Sequence, residues 1–324
     1  MRHEAFILQT RMKALLQPYI GIKMRKKAFI LWTVFLMTMT AQAQLLYRIS
    51  GNNLEKPSYT VGTYHLAPSA YVDSIPGLRA TIDEVGQVCG ELDMSLLRSQ
   101  ENVIKMTQAM LLPEGQTLQS LLSEEEQGRL NALMKELMGV DLTNPMVGSQ
   151  LGKMTPQAIS TQLSLMMYMK VHPESNANDG IDDYLQTAGA EKGKKIMGLE
   201  TVDQQVKALF QSTTLERQKQ LLMCMVDNKD YQLHVTAEII NAYFLQDLER
   251  IKTITDEKLG NSCDSREEEE NIFIYDRNAD WVKKMPAIMA ETSTLFAVGA
   301  AHLVGEKGVL TLLRNAGYQV DGMK

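Results

Sequence analysis

Cysteine, tryptophan and long apolar runs are all scarce in this chain. Three cysteines, two tryptophans and 6% aromatics leave much of the apolar volume to 21 methionines among 324 residues. An odd set of three thiols is not a disulfide framework, and a chain of this length buries a full core without staples. Cys89 lies in an apolar, strand-like run and reads as a buried small residue. Cys224, in a helical pattern, and Cys263, in an acidic loop, form a pair that spacing alone neither requires nor forbids. No run approaches the roughly 20 apolar residues of a membrane span, which excludes a polytopic membrane protein. Basic residues are also scarce once the first 43 positions are set apart: 26 Lys and Arg face 38 Asp and Glu, a net charge of −12. Polyanion binding needs cations to displace counterions, and no basic stripe with interleaved aromatics occurs, so nucleic acid is not an expected partner.

Several catalytic signatures are missing as well. There is no His-Glu-x-x-His zinc-peptidase helix and no Gly-x-Ser-x-Gly nucleophile elbow. Gly189-Ala190-Glu191-Lys192-Gly193-Lys194-Lys195 is one residue short of a phosphate loop and lacks the Ser or Thr that would hold magnesium. No dinucleotide fingerprint follows a strand. Serine hydrolase, nucleotide-binding and nicotinamide chemistries all lose ground.

What is present begins with a leader over residues 1–43. Met24-Arg25-Lys26-Lys27, the apolar stretch Ala28–Met37 and the ending Ala41-Gln42-Ala43 are the three parts of a secretory signal peptide over 24–43. Cleavage is expected after Ala43, with no stable membrane anchor afterwards. The expected location is the periplasm or beyond.

Short apolar runs bounded by Gly, Pro, Asn or Asp read as strands at Leu45–Ile49, Tyr59–Gly62, Val85–Leu92, Lys195–Leu199, Thr294–Val298 and Tyr318–Val320. Helical spacing fills Glu124–Met138, Leu215–Val226, Tyr231–Ile251 and Ala279–Ala290. The expected fold is α/β, with a central, mostly parallel sheet flanked by helices. Residues 44–324 are expected to form a single domain whose stretch from about 96 to 190 is a large helical insertion. Met166-Met167-Tyr168-Met169 reads as pliable helix core, and Glu267–Glu270 as a solvated helix face.

Beyond the leader only His65, His172, His234 and His302 remain. Two share one local pattern: Gly62-Thr63-Tyr64-His65-Leu66 and Gly299-Ala300-Ala301-His302-Leu303 each follow a β-run. Glycine is expected there to let the backbone leave the strand through torsions that other residues avoid. Two acids occupy comparable places, Glu91 after Gly90 and Glu200 after Gly198. In open α/β sheets ligands bind beyond the carboxyl ends of the strands. If these strands are parallel neighbours, two imidazoles and two carboxylates meet on one rim. That set suits a divalent first-row metal, or acid/base catalysis by an activated glutamate. His172 lacks such a frame, and His234 with Glu238 reads as a solvated pair on a helix face.

These paired segments resemble the TraB/GumN family, which is related to the Tiki metallopeptidases. Gly198-Leu199-Glu200-Thr201, Arg277-Asn278 ahead of a helix, and Gly299–Gly305 with Gly308 carry the same likeness. It runs from about Leu45 to the C-terminus. The resemblance implies an erythromycin-esterase-like or haem-uptake-protein-like α/β fold. It also implies metal-dependent hydrolysis of peptide bonds, with manganese or cobalt favoured and zinc also admissible. His65 and His302 take the family's two Gly-x-x-His positions, Glu91 the first carboxylate position, and Arg277 the Arg of the Arg-Asn pair. Glu200 fits the Gly-Leu-Glu segment.

The expected activity is therefore an exported metal-dependent hydrolase acting on a peptide or small-molecule substrate. His65, Glu91, Glu200 and His302 are the candidate metal ligands. His65, Glu91, His302 and Arg277 are the candidate catalytic groups, with the Arg277 fork steadying an oxyanion or a substrate carboxylate. Two alternatives stay open: an esterase-like hydrolase without metal, and a non-catalytic periplasmic binder of haem or peptide.

Overall fold

The computed structural model describes residues 44–176 and 179–324, so the expected signal peptide and its cleavage point lie outside the described residues. Six strands form one sheet: β1 (Leu46–Ser50), β2 (Ser58–Thr63), β3 (Gln87–Gly90), β4 (Lys195–Gly198), β5 (Thr294–Gly299) and β6 (Gln319–Gly322). Their spatial order is β4-β3-β5-β2-β1-β6. The first four neighbours are mutually parallel, while β1 runs antiparallel to both β2 and β6. The α/β reading of the sequence holds, and each expected strand is present.

The central strands are mostly apolar or small because both faces are covered; every residue of β2 and β3 is buried, Gln87 included. Helix Ile181–Glu191 lies on β3 and β4, its Gly189 fitting where a Cβ would stand 2.8 Å from Val88. Helix Asp276–Glu291 brings Trp281, Met285, Ile288 and Met289 into the same core. Between about 96 and 171 the chain is mostly helical, and much of it gathers around a second core. Leu118, Leu130, Leu133, Ile159, Leu163 and Met167 of that stretch pack there with Leu222, Met223 and Val226 of helix Leu215–Asp227. Met167 and Tyr168 are buried, as the methionine cluster led one to expect.

Two local expectations are corrected. Tyr231–Ile251 is not one helix: Lys229–Phe244 and Leu248–Thr255 are separated at Gln246, whose φ of 58° breaks the helical path. The apolar period continues across the break, because Tyr243 and Leu248 are both buried on the same core. Glu267–Glu270 is not wholly a solvated face. Glu269 is only 6% exposed and receives Arg217 on both oxygens, at 2.7 and 2.9 Å. Arg217 also donates to the carbonyls of Ser262 and Asp264, and the Cys224–Cys263 disulfide closes the same junction. Cys89 is buried and unpaired in β3.

Candidate active site

The carboxyl ends of the four parallel strands deliver the expected groups side by side. Across the rim from β4 to β2 they are Glu200, Glu91, His302 and His65, because Gly90 pairs with Gly198 and Ala297, and Thr63 with Gly299. The glycines serve a different purpose from the one expected. None of Gly62, Gly90, Gly198 and Gly299 has a positive φ. They are small because the rim is crowded: a Cβ on Gly90 would fall 2.2 Å from Gln186 Nε2, and one on Gly299 3.3 Å from Glu91 Oε1. The missing side chain at Gly299 leaves its N–H clear to donate to Glu91 Oε1 at 2.8 Å.

Arg277 sits at the centre. Residues Asn271–Tyr275 form a π-helical turn immediately before helix Asp276–Glu291, a local widening often found at functional sites. There Arg277 Nη1 donates to the Phe273 carbonyl at 3.0 Å. The guanidinium then bridges both acids: Nη2 to Glu91 Oε2 at 2.7 Å, Nε to Glu200 Oε1 at 2.7 Å and Nη2 to Glu200 Oε2 at 3.2 Å. Nη1 also reaches His302 Nε2 at 3.2 Å. A guanidinium has five N–H groups, and five contacts use them. In this structure the fork is engaged in organising the site.

Glu200 is engaged in the same way. Its carboxylate accepts from Arg277 and from Trp281 Nε1 at 2.8 Å, with its side chain only 4% exposed. It anchors the arginine and offers no oxygen to the cavity. Trp281 also packs its ring 4.5 Å from that of His302 and lies 4.9 Å beneath the guanidinium carbon. Sequence reading missed this residue. The signal was there: one of two tryptophans stands four residues after Arg277, on the same helical face.

The two histidines are oriented alike. Asn278 donates through Nδ2 to the carbonyls of His302 and Lys307, which fixes its Oδ1 as the end that accepts from His302 Nδ1 at 2.7 Å. The hydrogen of His302 is therefore on Nδ1, and Nε2 presents its lone pair. His65 Nδ1 lies 2.8 Å from Asp182 Oδ2, so Nε2 is its remaining nitrogen, whereas Nε2 of His302 accepts from Arg277 Nη1. Asp182 and Asn278 are partners that the sequence did not mark as orienting groups.

The electrostatics separate these groups. Burial opposes ionisation of Glu91, but His302, His65, Arg277 and the Gly299 N–H more than offset it and hold its pKa at about 2. Burial depresses His302 to about 4 against the pull of Glu91, so its ring is neutral. Asp182 raises His65 to about 9 by its charge and hydrogen bond.

His65, Glu91, Arg277 and His302 line one cavity of about 770 Å³, whose other walls include Leu97, Leu209, Ile239 and Ile274. Tyr64 contributes packing, its ring 5.8 Å from Tyr168 and 5.7 Å from Tyr243. His172 pairs with Glu174, and Glu238 pairs with Arg250 rather than serving a site with His234. As metal ligands, the cavity groups fit in kind. Two imidazole nitrogens, each backed through Nδ1 by an oxygen acceptor, and one ionised carboxylate are suitable donors for a divalent first-row ion. The expected four-residue set is not drawn together at ligand spacing. Among the described residues no three His, Cys, Asp or Glu form a metal-sized cluster, and His302 Nε2 stands 4.0 Å from Glu91 Oε1. The guanidinium, itself a cation, occupies the space between the acids.

Fold and site together define an α/β protein whose parallel strand ends build a buried His-Glu centre around an internal arginine. The chain belongs to the TraB/PrgY/gumN family, whose model matches residues 45–322. It is similar to Metalloprotease TIKI2 of Danio rerio, 23% identical over 308 residues that cover 82% of this chain and 58% of that protein. It is also similar to Metalloprotease TIKI1 of Danio rerio, 24% identical over 324 residues covering 88% and 64%. The chain thus spans about three-fifths of the length of these curated relatives. No solved structure is a significant match.

Proposed function

We propose that this protein is an exported hydrolase that cleaves peptide amide bonds at the strand-end rim, with His65, Glu91 and His302 facing the substrate. The observation that carries the reading is the convergence of these three groups, from separate parallel strands, on one cavity around a buried Arg277. Likeness to two metalloproteases supports the reaction class. His302 Nε2, His65 Nε2 and a Glu91 oxygen are the donors that would hold a divalent ion, manganese or cobalt by the family likeness. Such an ion polarises a carbonyl and lowers the pKa of bound water towards 7.

The chain's own residues set the rest. Glu91 is kept ionised by Arg277 and by the Gly299 N–H, so it accepts a hydrogen bond from water or a proton in transit. His302 contributes a neutral Nε2 lone pair whose direction Asn278 fixes and which would exchange its Arg277 Nη1 contact for an ion or substrate. His65 carries a proton beside a carboxylate, which suits it to donate to a leaving amine; holding an ion would require its release. Arg277 and Glu200 keep the carboxylates apart and aimed. The mostly apolar walls thin the water around the reacting bond.

The test is elemental analysis of protein purified without chelators, run beside His65→Ala and His302→Ala and joined to a peptide-cleavage assay. Loss of bound metal and of cleavage in His302→Ala is the expected outcome; retention of both would end the proposal. The Arg277 fork favours one rival, a centre that uses this fixed cation in place of an ion. Cleavage that survives exhaustive chelation would select it.

A further inference from the structure

The imidazole of His65 is two-thirds exposed, yet its partner is among the better anchored side chains of the rim. Asp182 Oδ2 meets His65 Nδ1 at 2.8 Å, while Asp182 Oδ1 accepts from Thr63 Oγ1 at 2.7 Å. Thr63 is the last residue of β2 and is buried. Asp182 is the second residue of helix Ile181–Glu191, where a carboxylate is favoured by the helix dipole. The start of that helix is stitched to the chain just beyond His65: Ile181 N–H donates to the Ala67 carbonyl at 3.0 Å, and Ser69 N–H to that of Asp179 at 2.9 Å. A Cβ on Gly180 would stand 2.9 Å from the His65 carbonyl oxygen, so the two backbones meet too closely for any larger residue.

The carboxylate is therefore fixed from two sides, and the ring is fixed through the carboxylate. Without that contact an exposed imidazole turns freely and carries its hydrogen on either nitrogen. We infer that Asp182, backed by Thr63, is a positioning residue that keeps the hydrogen of His65 on Nδ1 and aims Nε2 at the reacting atoms. This rests on the hydrolytic reading of the site. Asp182 acts through His65, since both of its oxygens are already engaged. The same relation, a carboxylate behind an imidazole, orients ligands in metal sites and bases in hydrolytic ones.

The experiment compares Asp182→Asn, Asp182→Ala and Thr63→Val in the full chain, each checked for an unchanged circular dichroism spectrum. On a peptide that the wild type cleaves, kcat should fall about 10–100-fold in both Asp182 variants, with KM almost unchanged. Thr63→Val, which only loosens the carboxylate, should lower kcat less. The ring is read directly by 15N chemical shifts, with His65 assigned by His65→Gln. At about pH 10.5, where the ring is neutral, Nδ1 should resonate as a protonated nitrogen in the wild type and as an unprotonated one in Asp182→Ala. A kcat close to that of the wild type in the Asp182 variants, or an unmoved Nδ1 resonance, would overturn the inference. If Asp182→Ala does not fold, Asp182→Asn and Thr63→Val carry the same comparison. Should the wild type cleave no amide or ester bond, the hydrolytic reading fails while the ring shifts still decide whether Asp182 governs His65.

Discussion

At the scale of single residues, Arg277 decides how the site holds together. Its side chain is 10% exposed, and it neutralises two carboxylates that are 8% and 4% exposed. Removing one member of a buried charged set leaves the others uncompensated, a loss of about 3–5 kcal/mol. Arg277→Ala should therefore destabilise the fold by that order in a denaturant titration, and abolish cleavage as well. Adding Glu200→Gln to Arg277→Ala should restore part of the stability, because one stranded charge is then gone. No recovery in the double variant would show that lost packing over Trp281, and not stranded charge, governs the effect. The arginine was visible in the sequence as half of an Arg-Asn pair. Its contacts were not, because they run to residues 77 and 186 positions away. Spacing marks residue types that suit a site, but it does not tell which donors are spent on neighbours and which face the substrate.

Secondary-structure elements were more legible, and the exceptions have physical causes. All six strands stood out because apolar runs ended in glycine or an acid, and buried parallel strands leave little freedom in composition. The break at Gln246 was hidden because the helical period resumes in phase beyond it. Glu269 was hidden because two of the other three acids in its run, Glu267 and Glu268, do face water, and its partner Arg217 distinguishes it. That pair, with Cys224–Cys263, ties helix Leu215–Asp227 to the segment leading into the π-helical turn and Arg277. The pair also has a pH signature. Arg217 holds the Glu269 carboxyl below its ordinary value despite burial. A carboxyl with a depressed folded pKa contributes stability that is complete above the unfolded value of about 4.3 and is lost as pH falls through the folded one. Glu269→Gln should accordingly be less stable than the wild type by about 1.5–3 kcal/mol at neutral pH. The difference in melting temperature should narrow as pH is lowered from about 5 towards 3. A difference that stays constant over that range would mean that the pair contributes through shape alone.

For the molecule as a whole, the arrangement separates stability from chemistry. The second core, built around Leu118, Leu130, Leu133, Ile159 and Leu163, contributes none of the residues that line the rim cavity. Helix Pro156–Val171, which gives Ile159 and Leu163 to that core, also reaches the rim: Tyr168 donates from its hydroxyl to the Leu66 carbonyl at 2.5 Å, one residue past His65. Two substitutions should thus behave differently although both fall among the helices. Leu130→Ala empties a fully buried position and should lower stability by about 2–5 kcal/mol, with kcat and KM unchanged wherever the protein is still folded. Tyr168→Phe removes one hydroxyl and leaves the Leu66 carbonyl without that donor, a stability loss of only about 1–3 kcal/mol. It loosens the backbone that carries His65, so its larger effect should fall on kcat, in the same direction as Thr63→Val. Steady-state kinetics paired with thermal melts separate the two cases. A drop in kcat for Leu130→Ala without unfolding, or an unaltered kcat for Tyr168→Phe, would show that the second core communicates with the rim by a route other than the Tyr168 hydroxyl.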